Sequence, residues 1–398
     1  MEVSTLVFDN GAYTMRAGLG GDSEPSCIIP SIIGRPKSLQ TQLQPSQTSN
    51  FSQASNFSQI SNLTQNTLSG VNVKDVFIGA DVFSQTSALS LFCPIENRII
   101  TNFDDMEKIW NHILFNELKV KPEEHPILMT ESPQNTKSAR EKTLQIMMET
   151  FKVPAFYTTF PEVLSLYSAG LTTGTVVDSG ETMTHIVPVY ECFAMNHVLS
   201  RLDIGGRQIN AHLKKILMLN GIELQSANER EILRDIKEKL CYVAVDLDSE
   251  MQKIEHINEI EKTFQMPEGP SIPIGAQRFK GPEPLFDPQL ISLSSPGLHQ
   301  MINDTINRCE DLKPLMYGTI MLSGGTSMFS GIAERIEKNI CELAPHGTKI
   351  SVLAPQNRKD SAWIGGSVLV SLATFSQMWI TKAEYDETGP SIVHLKCF

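Results

Sequence analysis

Two aspartates, each followed two residues later by a glycine at the end of an apolar run, are the side chains best placed to do chemistry. In Thr175-Val176-Val177-Asp178-Ser179-Gly180 the pattern predicts a buried strand that opens into a small-residue turn. Asp178 would stand just past the carboxyl end of that strand, where open α/β sheets bind ligands. Leu6-Val7-Phe8-Asp9-Asn10-Gly11 repeats the pattern, and Thr319-Ile320-Met321-Leu322 opens into Ser323-Gly324-Gly325-Thr326. Glycine turns offer backbone N–H groups to phosphate oxygens, and paired aspartates are hard ligands for a Mg²⁺ shell. One such turn is an ordinary strand-to-turn junction. Two of them plus a Gly-Gly turn point to a nucleotide held in a cleft between two related halves.

The elements that must position these turns follow from periodicity. Leu6–Phe8 and Met15–Gly18 read as the arms of a hairpin around Asp9–Tyr13. Met106, Ile109, Trp110, Ile113 and Leu114 predict a helix over Asp104–Leu118, and His125–Thr130 a strand. Thr136–Phe151 and Pro161–Ala169 are further helices, the second entered through proline at its start. Glu229–Tyr242 carries an apolar stripe of Ile232, Leu233, Ile236 and Leu240. Leu298–Cys309, Gly331–Leu343 and Trp363–Trp379 are expected to be helical, the last one buried. The Pro/Gly-rich stretch Met266–Pro288 reads as loop.

Ser38–Asn72 contains no charged residue and repeats Ser49–Gln53 at Ser55–Gln59 and, with changes, at Ser61–Gln65. Its polar composition predicts a disordered or loosely held surface loop, either adhesive through Phe51, Phe57 and Leu63 or a tolerated insertion.

With 398 residues the chain exceeds one compact core, so two domains or lobes are expected. Hydrophobic content of 41% and charged content of 20% are those of an ordinary globular protein. A net charge of −12 argues against a nucleic-acid-coating or anionic-membrane-binding surface. Met1-Glu2-Val3-Ser4 runs straight into a strand, so no signal peptide is expected. Seven scattered cysteines without a Cys-x-x-Cys pair indicate neither a disulfide framework nor a zinc site, and fit the reducing cytoplasm or nucleus.

Beyond the turns, the chain resembles actin and the actin-related proteins over nearly everything except Ser38–Asn72. The segments that carry the resemblance are Ile100–Trp110, Arg234–Tyr242, Ser323–Thr326, Trp363-Ile364-Gly365-Gly366-Ser367 and Gly389–His394. The resemblance implies the actin-like α/β ATPase fold. Its duplicated, ribonuclease H-like lobes each hold a five-stranded mixed sheet flanked by helices, around a central nucleotide cleft. The implied subdomains are 1–32 with 94–168 and 361–398; 33–93; 169–204 with 293–360; and 205–292. It implies ATP or ADP with Mg²⁺ or Ca²⁺, the cation's water shell held by Asp9 and Asp178. Gly11, Ala12, Tyr13, Arg16, Ser179, Gly180 and Glu181 would line the phosphates, Arg16 replacing a lysine. Gly206, Arg207, Arg234, Lys237, Glu238, Gly325, Thr326, Met328, Phe329 and Lys359 would surround the adenosine.

Departures from the family pattern bear on mechanism. Pro161 stands where the family has a glutamine that positions the attacking water, and proline has neither a hydrogen-bonding side chain nor an N–H. Ala12-Tyr13 replaces Ser-Gly and Glu181-Thr182 replaces Asp-Gly, crowding the terminal phosphate. His185 remains, either structural or catalytic. Phosphoryl transfer depends mainly on positioning and charge stabilisation, so hydrolysis is expected to be very slow. Tyr167, Gly170, Thr172, Leu369, Leu372, Thr374 and Met378 match the groove that receives a neighbouring subunit's loop, whereas the donating loop is replaced by Ser38–Asn72. Asn97 replaces the histidine that actins methylate, and no acidic N-terminal cluster for myosin is present. The resemblance therefore implies a cytoplasmic, cytoskeletal actin-like protein that accepts an actin loop or pairs with its own kind. The alternative is an actin-related subunit of a nuclear chromatin-remodelling complex, favoured by Ala12-Tyr13. A sugar kinase of the same fold would need a catalytic base facing a sugar pocket, which no residue set supplies.

Overall fold

The computed structural model describes residues 4–37, 76–84, 88–224, 229–255, 260–267 and 269–397. The whole of Ser38–Asn72, with its repeats, lies outside them. Among the described residues two mixed six-stranded sheets dominate. The first runs Ile380–Thr381, Ala155–Thr159, Ile127–Thr130, Leu6–Asn10, Thr14–Leu19, Cys27–Pro30. The second runs Phe193–Ala194, Thr184–Tyr190, Gly174–Ser179, Ile320–Ser323, Val352–Leu353, with Ser200–Leu202 also pairing on Thr184–Tyr190. Each is thus one strand larger than the resemblance implied.

The two sheets repeat one plan. Leu6–Asn10 pairs antiparallel with the next strand in sequence and parallel with Ile127–Thr130. Gly174–Ser179 pairs antiparallel with the next strand and parallel with Ile320–Ser323. Every residue of Gly174–Ser179 is buried, as a central strand covered on both faces requires. Asp9 and Asp178 lie inside their strands, at the carboxyl ends, rather than just past them.

The helix Pro161–Ser168 packs against Ser361–Val370 so closely that a Cβ on Gly365 would lie 1.7 Å from the Leu164 carbonyl oxygen. Glycine is what permits this approach. Trp363, fully buried, donates its indole N–H to the Val7 carbonyl at 3.0 Å, fixing the second helix on the first sheet. Three buried hydroxyls join these helices to the second sheet: Ser165 to Ser323 at 2.9 Å, Ser323 to Ser361 at 3.0 Å and Ser361 to Ser165 at 3.1 Å.

Trp363–Trp379 is not one buried helix. The α-helix ends at Val370, Leu372 is extended, and a 3₁₀ turn covers Ala373–Gln377. The break lets Phe375 enter the core, edge-on to Tyr157 and Trp379 at 5.2 and 4.8 Å, while Leu372 stays 43% exposed. The helices expected over Asp104–Leu118 and Thr136–Phe151 form, but each turns from α into π-helix, at His112 and Ile146.

Candidate functional site

The first sheet delivers Asp9. Its Oδ1 accepts from Thr130 Oγ1 at 3.0 Å, and the Asn10 N–H donates to the same Thr130 oxygen at 2.8 Å. Trp110 holds the Asn10 amide oxygen at 3.2 Å. Arg16, directly opposite Asp9 in register, reaches Asp9 Oδ2 at 3.5 Å and Asp360 Oδ1 at 2.6 Å. Burial pushes the Asp9 carboxyl above its ordinary range; Arg16 and Thr130 only partly offset this. Gly11 closes the turn where a Cβ would meet the Thr14 carbonyl at 2.4 Å.

The second sheet delivers Asp178 and the turn after it. Thr326 Oγ1 donates to the Gly180 carbonyl at 2.8 Å, and the Gly206 and Arg207 N–H groups donate to the Gly180 and Glu181 carbonyls. Lys237, 5% exposed, donates to the Gly206 carbonyl at 3.2 Å, and burial holds its ammonium below the ordinary lysine range. A Cβ on Gly206 would strike Glu181, Lys237 and Thr326, whereas nothing lies within 4 Å of one on Gly325, which faces open space. Gly180, Glu181, Gly206, Lys237 and Thr326, scattered in sequence, therefore meet. Ser179 is turned away: its hydroxyl bonds to Thr184 at 2.7 Å and the residue is 1% exposed.

The side chain that sequence reasoning missed is Arg98. Its guanidinium donates to the Asp178 carboxylate and to Glu162 Oε1 at 2.9 Å, and its Nη1 lies 2.8 Å from His185 Nδ1. Glu162 and His185 are fully buried. The same His185 Nδ1 lies 3.2 Å from Glu162 Oε1, so this nitrogen faces a donor, the guanidinium, and an acceptor, the carboxylate, and the ring tautomer selects between them. Glu162 Oε2 and His185 Nε2 have no partner among the described residues. Burial alone would raise the Glu162 carboxyl, but Arg98 and His185 outweigh it and hold it below its ordinary range. Burial likewise opposes the Arg98 charge, and Asp178 and Glu162 more than restore it.

A backbone feature places Arg98. Asn97 and Arg98 have φ of +48° and +63° and link the strands Ile95–Glu96 and Ile99–Ile100. Positive φ at both central residues is the demand of the tight I′ hairpin, whose second position favours glycine. Arginine there is strained by roughly 1–3 kcal/mol and persists because three partners hold it. The available signal was Asn97-Arg98 between Ile95-Glu96 and Ile99-Ile100, a two-residue hairpin turn with a long cation at the glycine position.

Tyr13 reaches the helix Glu229–Leu240. Its hydroxyl bonds Arg234 and lies 3.5 Å from Glu231 Oε2, and the guanidinium carbons of Arg230 and Arg234 sit 5.7 and 5.6 Å from its ring centre. Arg230 also lies 3.6 Å from Glu181. Glu238 is 4.0 Å from Arg234 on the same helix. Phe329 is 7% exposed and belongs to the core rather than to an open site; Met328 is 37% exposed. Arg207 and Lys359 are exposed. In the groove expected to take a partner, Gly170, Thr172, Leu372, Thr374 and Met378 are exposed, Tyr167 half-buried and Leu369 buried.

A family model described as actin matches residues 1–398, the whole chain. The chain belongs to the actin family. Actin-family proteins generally bind nucleotide together with a divalent cation. The glycine-lined turns of this member suit an anionic nucleotide, because Gly11, Gly206 and Gly324 leave backbone where a Cβ would clash. A water-shelled divalent ion fits less well. It needs Asp9 and Asp178 as acceptors, yet Asp178 Oδ2 is taken by Arg98 and Asp9 Oδ2 lies 3.5 Å from Arg16. Among the described residues no three His, Cys, Asp or Glu side chains are grouped to hold a metal directly, and no helix is long and apolar enough to cross a membrane.

Proposed function

We propose that this actin-family protein binds an adenine nucleotide, ATP or ADP, between its two sheets and hydrolyses it very slowly. The observation that carries the reading is the convergence of Gly180, Glu181, Gly206, Lys237 and Thr326 on one turn, paired with the Asp9–Gly11 turn of the other sheet. Slow hydrolysis rests on Pro161 at the first position of its helix, where no side-chain group can orient water. His185 and Glu162 are meanwhile fully buried against the Arg98 guanidinium rather than presented to the cleft as a base. The family's companion ion is Mg²⁺ or Ca²⁺.

The protein accepts an actin-type loop at the groove around Tyr167, Leu372 and Met378 and joins or caps filaments, rather than building long ones alone. A cytoplasmic, cytoskeletal setting follows from that role. Tyr13 favours a second reading. Its clasp on Arg230 and Arg234 suits a subunit of a nuclear chromatin complex that uses the fold as a nucleotide-held scaffold. Protein stripped of nucleotide and titrated with a fluorescent ATP analogue tests the first claim, and absence of saturable binding defeats it. A single-turnover rate matching that of muscle actin would defeat slow hydrolysis. Robust pellets of the pure protein in Mg²⁺ and KCl would defeat the filament role.

A further inference from the structure

We propose that Arg98 is a built-in cation of this site, bridging Asp178 to the nucleotide phosphates so that nucleotide binding does not depend on a divalent ion. This inference rests on the nucleotide reading above. The geometry is that of a fixed fork. Glu162 and His185 hold Nη1, and Asp178 takes Nη2. Nε and the second Nη2 hydrogen have no protein acceptor among the described residues, and the side chain is 16% exposed. A guanidinium presents five donors in one plane and meets carboxylate and phosphate oxygens equally well. Divalent ions in phosphate sites neutralise the same oxygens while leaning on the same carboxylates. Both carboxylates that would support such an ion here already face an arginine, Asp178 through Oδ2 with Arg98 and Asp9 through Oδ2 with Arg16 at 3.5 Å. Glu162 is then a positioning residue. Wholly buried, it anchors Arg98 in a backbone conformation that arginine otherwise avoids.

The test is the affinity for a fluorescent ATP analogue, with 1:1 stoichiometry checked, in buffer containing Mg²⁺ and in buffer containing EDTA. For the unaltered protein the two dissociation constants are expected to agree within about fivefold, which is about 1 kcal/mol at RT of 0.59 kcal/mol. R98G alone would leave Glu162 buried without its cation. The informative variant is therefore R98G/E162A, which removes the pair together and restores the residue that positive φ favours. That double variant is expected to bind in Mg²⁺ and to weaken more than about fivefold in EDTA, with Mg²⁺ restoring the affinity. A loss beyond fivefold in EDTA for the unaltered protein overturns the inference and leaves the nucleotide reading standing. So does a double variant no more metal-dependent than its parent, which would make the cluster a structural ion pair only. Binding in neither buffer overturns the nucleotide reading, and the inference with it.

Discussion

A tyrosine and a glutamate show how single side chains set this molecule's behaviour. Tyr13 ties the Asp9 turn to the helix Glu229–Leu240 through Arg234 and the faces of two guanidinium groups. Tyr13→Phe keeps the ring and removes the hydroxyl bond, worth about 0.5–1.5 kcal/mol. Release of a bound nucleotide analogue is expected to accelerate roughly two- to tenfold, read by stopped-flow fluorescence; an unchanged rate would show that the clasp does not gate the cleft. Burial pushes the Glu283 carboxyl up from 4.5 to about 7, although Arg335 lies only 3.2 Å away. Its Oε2 finds no partner among the described residues. The folded chain thus holds a proton that the unfolded chain has released. The stability this gives is full below about pH 4.5 and is lost as pH rises through 7. Relative to Glu283→Gln, the unaltered protein is expected to lose up to about 3 kcal/mol across that window. Chemical denaturation at pH 5 and pH 8 reads the difference, and parallel curves for the two proteins would refute it.

At the scale of elements, the crossing of Pro161–Ser168 and Ser361–Val370 is the least forgiving contact. Gly365→Ala puts a methyl 1.7 Å from the Leu164 carbonyl oxygen, and the neighbouring backbone cannot rotate aside as a side chain would. The expected cost is at least about 3 kcal/mol, seen as a lowered melting temperature or loss of soluble protein. Gly318→Ala, with nothing within 4 Å of the added carbon, serves as the control and should be neutral. The helix Lys382–Thr388 begins with a reciprocal cap, the Thr381 hydroxyl on the Glu384 N–H and the Glu384 carboxylate on the Thr381 N–H at 2.9 Å. Thr381→Ala is expected to cost about 1 kcal/mol in denaturant titration.

For the whole molecule, the two sheets meet through a crossing of helices, the Ser165–Ser323–Ser361 hydroxyls and the side chains of the cleft. A ligand touching both sheets should therefore stabilise the chain as one unit. At a hundred times its dissociation constant, the gain is about 2.7 kcal/mol. Differential scanning calorimetry with saturating ATP analogue should show one transition moved upward. Two transitions, only one of them shifted, would mean that the nucleotide bridges nothing.

The letters alone were sufficient for the duplicated strand–Asp–x–Gly turns, for most helices and for the family, because these depend on local periodicity and on glycines that specific turns demand. Gly180, Gly206, Lys237 and Thr326 were singled out through the resemblance, and the fold brings them together around one turn. What only tertiary structure decided concerns partners distant in the chain. Arg98 lies 80 residues from Asp178 and 64 from Glu162, and nothing local reveals that a hairpin aims its guanidinium between them. Phe329 matched the pattern of a ligand contact and went to the core, while Leu372 and Met378 stayed at the surface. A side chain's role is set by which neighbours the folded sheets bring to it and how much water they leave, and neither is a property of its own stretch of sequence.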